Sequence, residues 1–157
     1  MKSSEIWYID ERAEQLAIVY ITRHADLSVL PPREDDGAVD YLVRIRHADS
    51  QVKRVFGVQV IGVLTRDSIK TNTHSVPTMN NTAHTVAATS EELLPICELL
   101  FVMETDEGFY RWVDEPTITA AGQATLQHPT DATYYPLDSD ALDSIVAMVN
   151  RWYDARS

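Results

Sequence analysis

The chain has 157 residues, of which 45% are hydrophobic and 24% charged, as in ordinary soluble globular proteins. This length is enough to bury a full hydrophobic core, so we expect one domain over residues 1–157. The formal net charge of −11, with only 13 Lys and Arg, argues against non-specific coating of nucleic acid, although a local basic groove or a bound cation would reverse the sign locally.

Targeting signals and cysteines give little sign of export. No apolar run approaches the roughly 18 residues that a membrane span needs. The segment from Met1 to Trp7 lacks the apolar core and cleavage site of a secretory signal. The single cysteine, Cys97, excludes an internal disulfide and is compatible with a reducing compartment. We therefore expect a cytoplasmic protein without membrane contact, in which Cys97 is a buried structural thiol.

The first elements in chain order are a helix and a weak strand. Apolar residues at three- and four-residue spacing predict a helix from about Glu11 to His24, capped by Asp10. A weak strand over 25–30 ends at Pro31 and Pro32, because proline cannot donate to a ladder.

Two further strands are predicted at 39–46 and 55–64, joined by a polar hairpin connection over 47–53. The second of these is almost continuously apolar, so we expect it at the centre of the sheet, covered on both faces. From 65 to 89 the chain is rich in Thr, Asn, Ser and His without periodicity, which predicts a long loop.

The last part of the chain completes an α/β or α+β fold. The predicted elements are one helical turn starting at Ser90, strands over 96–104 and 109–113, an irregular stretch over 114–138, and a helix from about Ser139 to Ala155. This order predicts a mixed sheet of about five strands flanked by an N-terminal and a C-terminal helix.

Gln59 is an unusual residue for an apolar central strand, because a buried amide must find hydrogen-bond partners. Alternation places Ile61 on the same face, roughly 6–7 Å away. Asp40, which opens the preceding strand, would approach Gln59 in register, and Glu14 would reach it from a helix packed over that face. Two carboxylates and a carbonyl-type oxygen are ligands that suit Mg²⁺.

Each of these residues also has a structural interpretation. Glu14 alone is more often a solvated helix residue, Asp40 can end a turn, and Gln59 can link the strand to a neighbouring loop. The five histidines show no zinc-ligand spacing, and five glycines form no phosphate loop. The run Tyr110-Arg111-Trp112 is typical of a half-buried aromatic strand more than of a base-stacking surface.

The ordered set of segments resembles the PD-(D/E)XK nuclease superfamily, particularly its Gln-x-Lys branch with the Mrr-like restriction endonucleases, and an uncharacterised bacterial domain family within it. The segments that carry the resemblance are Arg12–Gln15, Asp36–Val43, Phe56–Val60, Pro95–Val102 and Gly108–Trp112. The resemblance implies a restriction-endonuclease-like fold in which Glu14, Asp40 and Gln59 are catalytic and hold Mg²⁺. It also implies a lysine that orients the attacking water and stabilises charge at phosphorus, and that position holds Ile61.

Isoleucine can neither accept a proton nor compensate charge, and losing such a group costs about two to three orders of magnitude in rate. The first hypothesis is therefore a degenerate, catalytically impaired nuclease-fold domain that acts as a binding or regulatory module in DNA processing or defence. The second is a Mg²⁺-dependent endonuclease with a relocated cation such as Lys70. The third is an acidic protein-interaction domain, including a homodimer, because the net charge favours basic partners and disfavours nucleic acid.

Overall fold

A computed structural model of the chain describes residues 2–31, 39–47, 53–69, 93–130 and 133–156, with side chains from Tyr8 onward. The described residues form two helices and seven strands. In chain order these are α1 (Lys2–Thr22), β1 (Leu27–Leu30), β2 (Tyr41–Ile45), β3 (Arg54–Val63), β4 (Ile96–Val102), β5 (Gly108–Ile118), β6 (Ala124–Gln127), β7 (Tyr135–Pro136) and α2 (Ser139–Arg156).

The fold is α+β with a mixed sheet, as predicted. The strands lie in the order β1-β2-β3-β4-β5-β6, and β7 pairs with β5. The first three form an antiparallel meander, β3 and β4 run parallel, and β5 is antiparallel to β4. The interior position predicted for β3 is confirmed, since it pairs with β2 on one side and β4 on the other.

The prediction of about five strands is wrong, because β6, β7 and the second half of β5 lie in the stretch predicted to be irregular. Pro116 is the residue that made this part of β5 look irregular in the sequence. It lies in the part of β5 that pairs with β6 alone, beyond the register with β4 that ends at Asp114. A proline is tolerated there because its missing N–H faces an unpaired side of the strand.

The predicted start of α1 is also wrong. The helix begins at Lys2 and continues through Asp10, so Asp10 is a helical surface residue and not a cap. Residues 2–9 contain no glycine or proline that would stop it. At the other end of the chain, α2 begins at Ser139 as predicted. The loop over 65–89, the turn at Ser90 and the hairpin over 47–53 fall largely outside the described residues.

The two faces of the sheet pack into two separate clusters. On one face, which we call the helix face, Val58 and Val60 of β3 join the cluster that contains Ala13 of α1 and Ile145 of α2. On the other face, which we call the opposite face, Ile61 packs with a smaller cluster. Its members are Val63, Leu100, Val102 and Phe109, with Ile69 and Tyr134 packed against them. Both helices therefore contribute to the core of the same face.

The close approach of α1 to the sheet requires a glycine at position 62. A Cβ atom at Gly62 would lie 2.5 Å from Cγ2 of Ile9 and 3.1 Å from Cβ of Ala13. This contact places α1 over Val60 and Gly62, which side-chain alternation separates from Gln59 and Ile61. Of the helices that the structure describes, neither is long and apolar enough to cross a membrane.

Candidate functional site

Asp40 directly precedes β2, at the end of the sheet where that strand begins. Its N–H donates to the carbonyl of Val58 at 2.8 Å, and its Oδ2 accepts a hydrogen bond from the N–H of Val60, also at 2.8 Å. The ladder between β2 and β3 stops at Tyr41 and Val58. The Asp40 carboxylate therefore replaces a backbone partner for β3, and one of its oxygens is already engaged.

Glu14 and Asp10 of α1 lie close enough to Asp40 to affect its electrostatic surroundings. Partial burial, and then repulsion from Asp40, raise the pKa of Asp10 and of Glu14. Burial followed by the charges of Glu14 and Asp40 also raises the pKa of Tyr41. The structure thus brings together Glu14 and Asp40, as predicted from the sequence, and adds Asp10. We call these three carboxylates the acidic cluster.

Gln59 lies on the opposite face, away from α1. It is 9% exposed, and its register partner on β4 is Glu98. The expectation that the Glu14 helix covers the face of Gln59 and Ile61 is wrong, because Gly62 lets α1 pack on the other side of β3. Ile61, where the resemblance would place a lysine, is half-buried and packs in the cluster of the opposite face.

A second polar group lies on the opposite face and includes Gln59. Glu98 is fully buried and Arg111 is 7% exposed, and the register places Gln59, Glu98 and Arg111 side by side on β3, β4 and β5. We call these three residues the polar row. Arg111 Nη2 lies 3.2 Å from Glu98 Oε2, so the two charges form a buried ion pair.

Tyr134 covers the Glu98 and Arg111 pair of the polar row. Its hydroxyl donates to Oε1 of Glu98, and the Arg111 guanidinium carbon lies 4.6 Å from the centroid of its ring. Burial, and then the Glu98 charge, raise the pKa of Tyr134, so the phenol stays protonated and acts as a donor. The sequence prediction missed this group. A lone glutamate inside the apolar run Ile96–Val102 is nevertheless the same kind of signal as Gln59.

The predicted ligand set of Glu14, Asp40 and Gln59 does not converge on one Mg²⁺ centre. Glu14 and Gln59 belong to different faces of the sheet, and one Asp40 oxygen already accepts from Val60. Within the ranges that the structure describes, no group of three or more His, Cys, Asp or Glu side chains is placed to hold a metal ion. Lys70, the cation considered as a replacement for the lysine, lies outside those ranges.

Comparison with models of known protein families, with curated proteins and with solved structures finds no match to this chain.

We expect Glu14→Gln to raise the free energy of unfolding at neutral pH by up to about 0.5 kcal/mol, a surface-sized effect. The raised pKa means that the folded chain binds the Glu14 proton more tightly than the unfolded chain does. The stabilisation from protonation is fully present below the ordinary glutamate pKa and is lost as the pH rises through the raised value. The gain from the variant should accordingly vanish in acid.

Urea unfolding of wild type and Glu14→Gln, at neutral pH and in acid, measures this difference. Asp67→Asn removes one negative charge at an exposed position of the same chain and is the control. An equal effect of both variants, or a gain that persists in acid, would show that the burial of Glu14 and the repulsion from Asp40 are not the cause.

Proposed function

We propose that this chain is a nuclease-like domain that has lost catalysis and acts as a binding or regulatory module in DNA processing or defence. The observation that carries the proposal is the separation of the predicted site. Glu14 lies on α1 and Asp40 lies at the start of β2, whereas Gln59 and Ile61 lie on the opposite face of the sheet. Phosphodiester hydrolysis needs these groups around one phosphate.

The cations near the acidic cluster support the loss of catalysis. Arg12 lies on the same helix as Asp10 and Glu14, but it is paired with Asp106 at 2.6 Å. On β3 the same face carries Val58, Val60 and Gly62, which can neither orient a water nor compensate charge, and Arg54, whose guanidinium is paired with Asp154 of α2 at 2.6 Å. Among the side chains that the structure describes, the cations of α1 and β3 named here are therefore already paired and do not replace the lysine.

The charge of the chain favours a protein partner with a basic surface. The formal net charge is −11, and the acidic cluster adds a local concentration of negative charge that would repel phosphates. A basic protein segment would relieve this repulsion. We also propose a cytoplasmic location, supported by the lone, fully buried Cys97, which needs no oxidising compartment.

A second candidate function is a Mg²⁺-dependent endonuclease with a relocated cation. The observation in its favour is the raised pKa of Asp10 and Glu14, which partial burial and then repulsion from Asp40 produce, since a divalent cation would relieve that repulsion. This candidate predicts that Asp40→Ala and Glu14→Ala each abolish Mg²⁺ binding in a calorimetric titration. Absence of saturable binding to wild type would exclude it.

Restoring the missing lysine tests the proposal. We expect Ile61→Lys to show no gain of Mg²⁺- or Mn²⁺-dependent cleavage of DNA or RNA, because position 61 lies on the face away from Glu14. Circular dichroism checks that the variant is folded, since Ile61 packs against a buried cluster. Cleavage that appears in Ile61→Lys would show an intact site that lacks one group, and would contradict the proposal.

A further inference from the structure

We propose that residues 133–137, which we call the strap, are a displaceable cover over the polar row. The strap occupies a docking edge for an extended peptide that carries an aromatic side chain with a hydroxyl group. This inference rests on the proposed binding function and names the class of its partner. It concerns the opposite face of the sheet, which is distant from the acidic cluster in the fold because the sheet separates them.

The polar row has the chemistry of a recognition pocket. A buried ion pair adds little stability over an apolar pair of the same shape, and it retains a need for hydrogen-bond partners. Glu98 and Arg111 nevertheless occupy the centre of a face whose neighbouring residues, Ile61 and Leu100, are apolar. The Tyr134 hydroxyl donates a hydrogen bond to Glu98, and the Tyr134 ring stacks against the Arg111 guanidinium. A phenol is thus the group that this pocket accepts.

The strap is joined to β5 by a short stretch of strand pairing. Strand β7 has two residues, and it pairs with β5 through Tyr135 opposite Tyr110 and Pro136 opposite Phe109. Tyr135 is 50% exposed, and Pro136 has no N–H to donate. By contrast, Leu137 is buried and donates its N–H to the Gly108 carbonyl at 2.8 Å. The protected Leu137 amide therefore reports whether the strap is closed, and Tyr134 is the latch at the other end.

Moving the strap would free the edge of β5 at Phe109 and Tyr110. The other edge of this part of β5 is paired with β4, so the freed edge is the one that another strand can use. Strand addition supplies main-chain hydrogen bonds, and pockets for alternate side chains supply specificity. An aromatic hydroxyl of the partner would take the place of Tyr134, donate to Glu98 and lie under the Arg111 guanidinium.

The latch is tested by hydrogen exchange on the full chain. Tyr134→Phe keeps the ring and removes the hydroxyl that donates to Glu98. Losing a hydrogen bond to a charged group should shift the equilibrium between the closed and the open strap by roughly ten- to hundredfold. We expect the Leu137 amide to exchange faster by about that factor, while amides of β2 change less. Tyr135→Phe is the matched control, since Tyr135 is half-exposed, and should change the Leu137 rate by less than about threefold.

Peptide binding tests the docking edge. The probe is a labelled peptide with the sequence of residues 133–138, measured by fluorescence anisotropy. We expect it to bind Tyr134→Phe more tightly than wild type, and a peptide with Phe in place of its first Tyr to bind both proteins more weakly. Equal binding of the two peptides, or no binding to either protein, would overturn the proposed edge.

Wild-type exchange decides the matter if Tyr134→Phe does not fold. The Leu137 amide should then exchange through an opening smaller than global unfolding, and exchange only through global unfolding would overturn the strap. Metal-dependent cleavage with an opening strap would contradict the proposed function alone. A strap that stays closed in a chain without cleavage would contradict this inference alone.

Discussion

Replacing Arg111 with methionine is expected to lower the free energy of unfolding by about 3–5 kcal/mol, because it leaves the buried Glu98 carboxylate without its ion partner. Glu98 is fully buried, and the neutral Tyr134 hydroxyl, which donates to its carboxylate, cannot compensate the charge. Methionine keeps much of the length and apolar character of the arginine stem, so most of the loss reflects charge. Chemical unfolding followed by circular dichroism measures it.

Two controls separate the buried charge from general damage. The double variant Glu98→Met with Arg111→Met removes both charges and should recover much of the loss, since paired charges are replaceable by apolar residues. Arg46→Met breaks the exposed pair between Arg46 and Asp26, whose atoms lie 3.4 Å apart, and should cost less than about 1 kcal/mol. A double variant as unstable as Arg111→Met would contradict the electrostatic explanation.

The second large effect is expected at Gly62. Gly62→Ala places a Cβ atom 2.5 Å from Cγ2 of Ile9 and 2.9 Å from its carbonyl oxygen, so α1 must move away from the sheet. Overpacking of this kind costs about 1–3 kcal/mol. Thermal or chemical unfolding of the variant measures the loss, which tests directly which face of β3 the helix covers.

Gly122 supplies a matched glycine control, because it has a φ of 83° and no atom of the described residues lies within 4 Å of the position that a Cβ would take. Gly122→Asn should be mild, since asparagine tolerates the left-handed region better than most residues. The double variant Ile9→Ala with Gly62→Ala should lose less unfolding free energy than the sum of the losses of the two single variants. If Gly62→Ala is as mild as Gly122→Asn, α1 does not pack where the structure places it.

Periodicity in the sequence predicted the elements whose patterns are local. The apolar residues of α2, from Leu142 to Trp152, repeat at helical spacing and predicted the last helix within one residue at each end. Strand β3 was likewise predicted within one residue, because its apolar run is long. Strands β6 and β7 are short, and Pro116 and Pro136 hid them, because a proline signals a break unless the pairing of its strand is known.

The candidate site depended on contacts between distant residues, and these are not visible in a single sequence. Alternation correctly placed Gln59 and Ile61 on one face of β3, but it does not say which face a helix covers. Which face α1 covers depends on the close contact between Gly62 and Ile9. The contact between Tyr134 and Glu98 joins residues 36 apart in sequence, across a stretch that lacks periodicity. The lone Glu98 in the apolar run of β4 indicates a buried polar contact, but the sequence does not show which residues supply the partners.

Cleavage by the wild-type chain is the most direct test of whether catalysis has been lost. Purified protein is incubated with single- and double-stranded DNA and with RNA at millimolar Mg²⁺ or Mn²⁺, beside Asp40→Asn. Asparagine keeps an oxygen that can accept from the Val60 N–H, so the variant removes the charge and preserves this hydrogen bond between the start of β2 and β3. We predict no metal-dependent cleavage above that of Asp40→Asn. Cleavage that requires metal and disappears in Asp40→Asn would contradict a non-catalytic binding module.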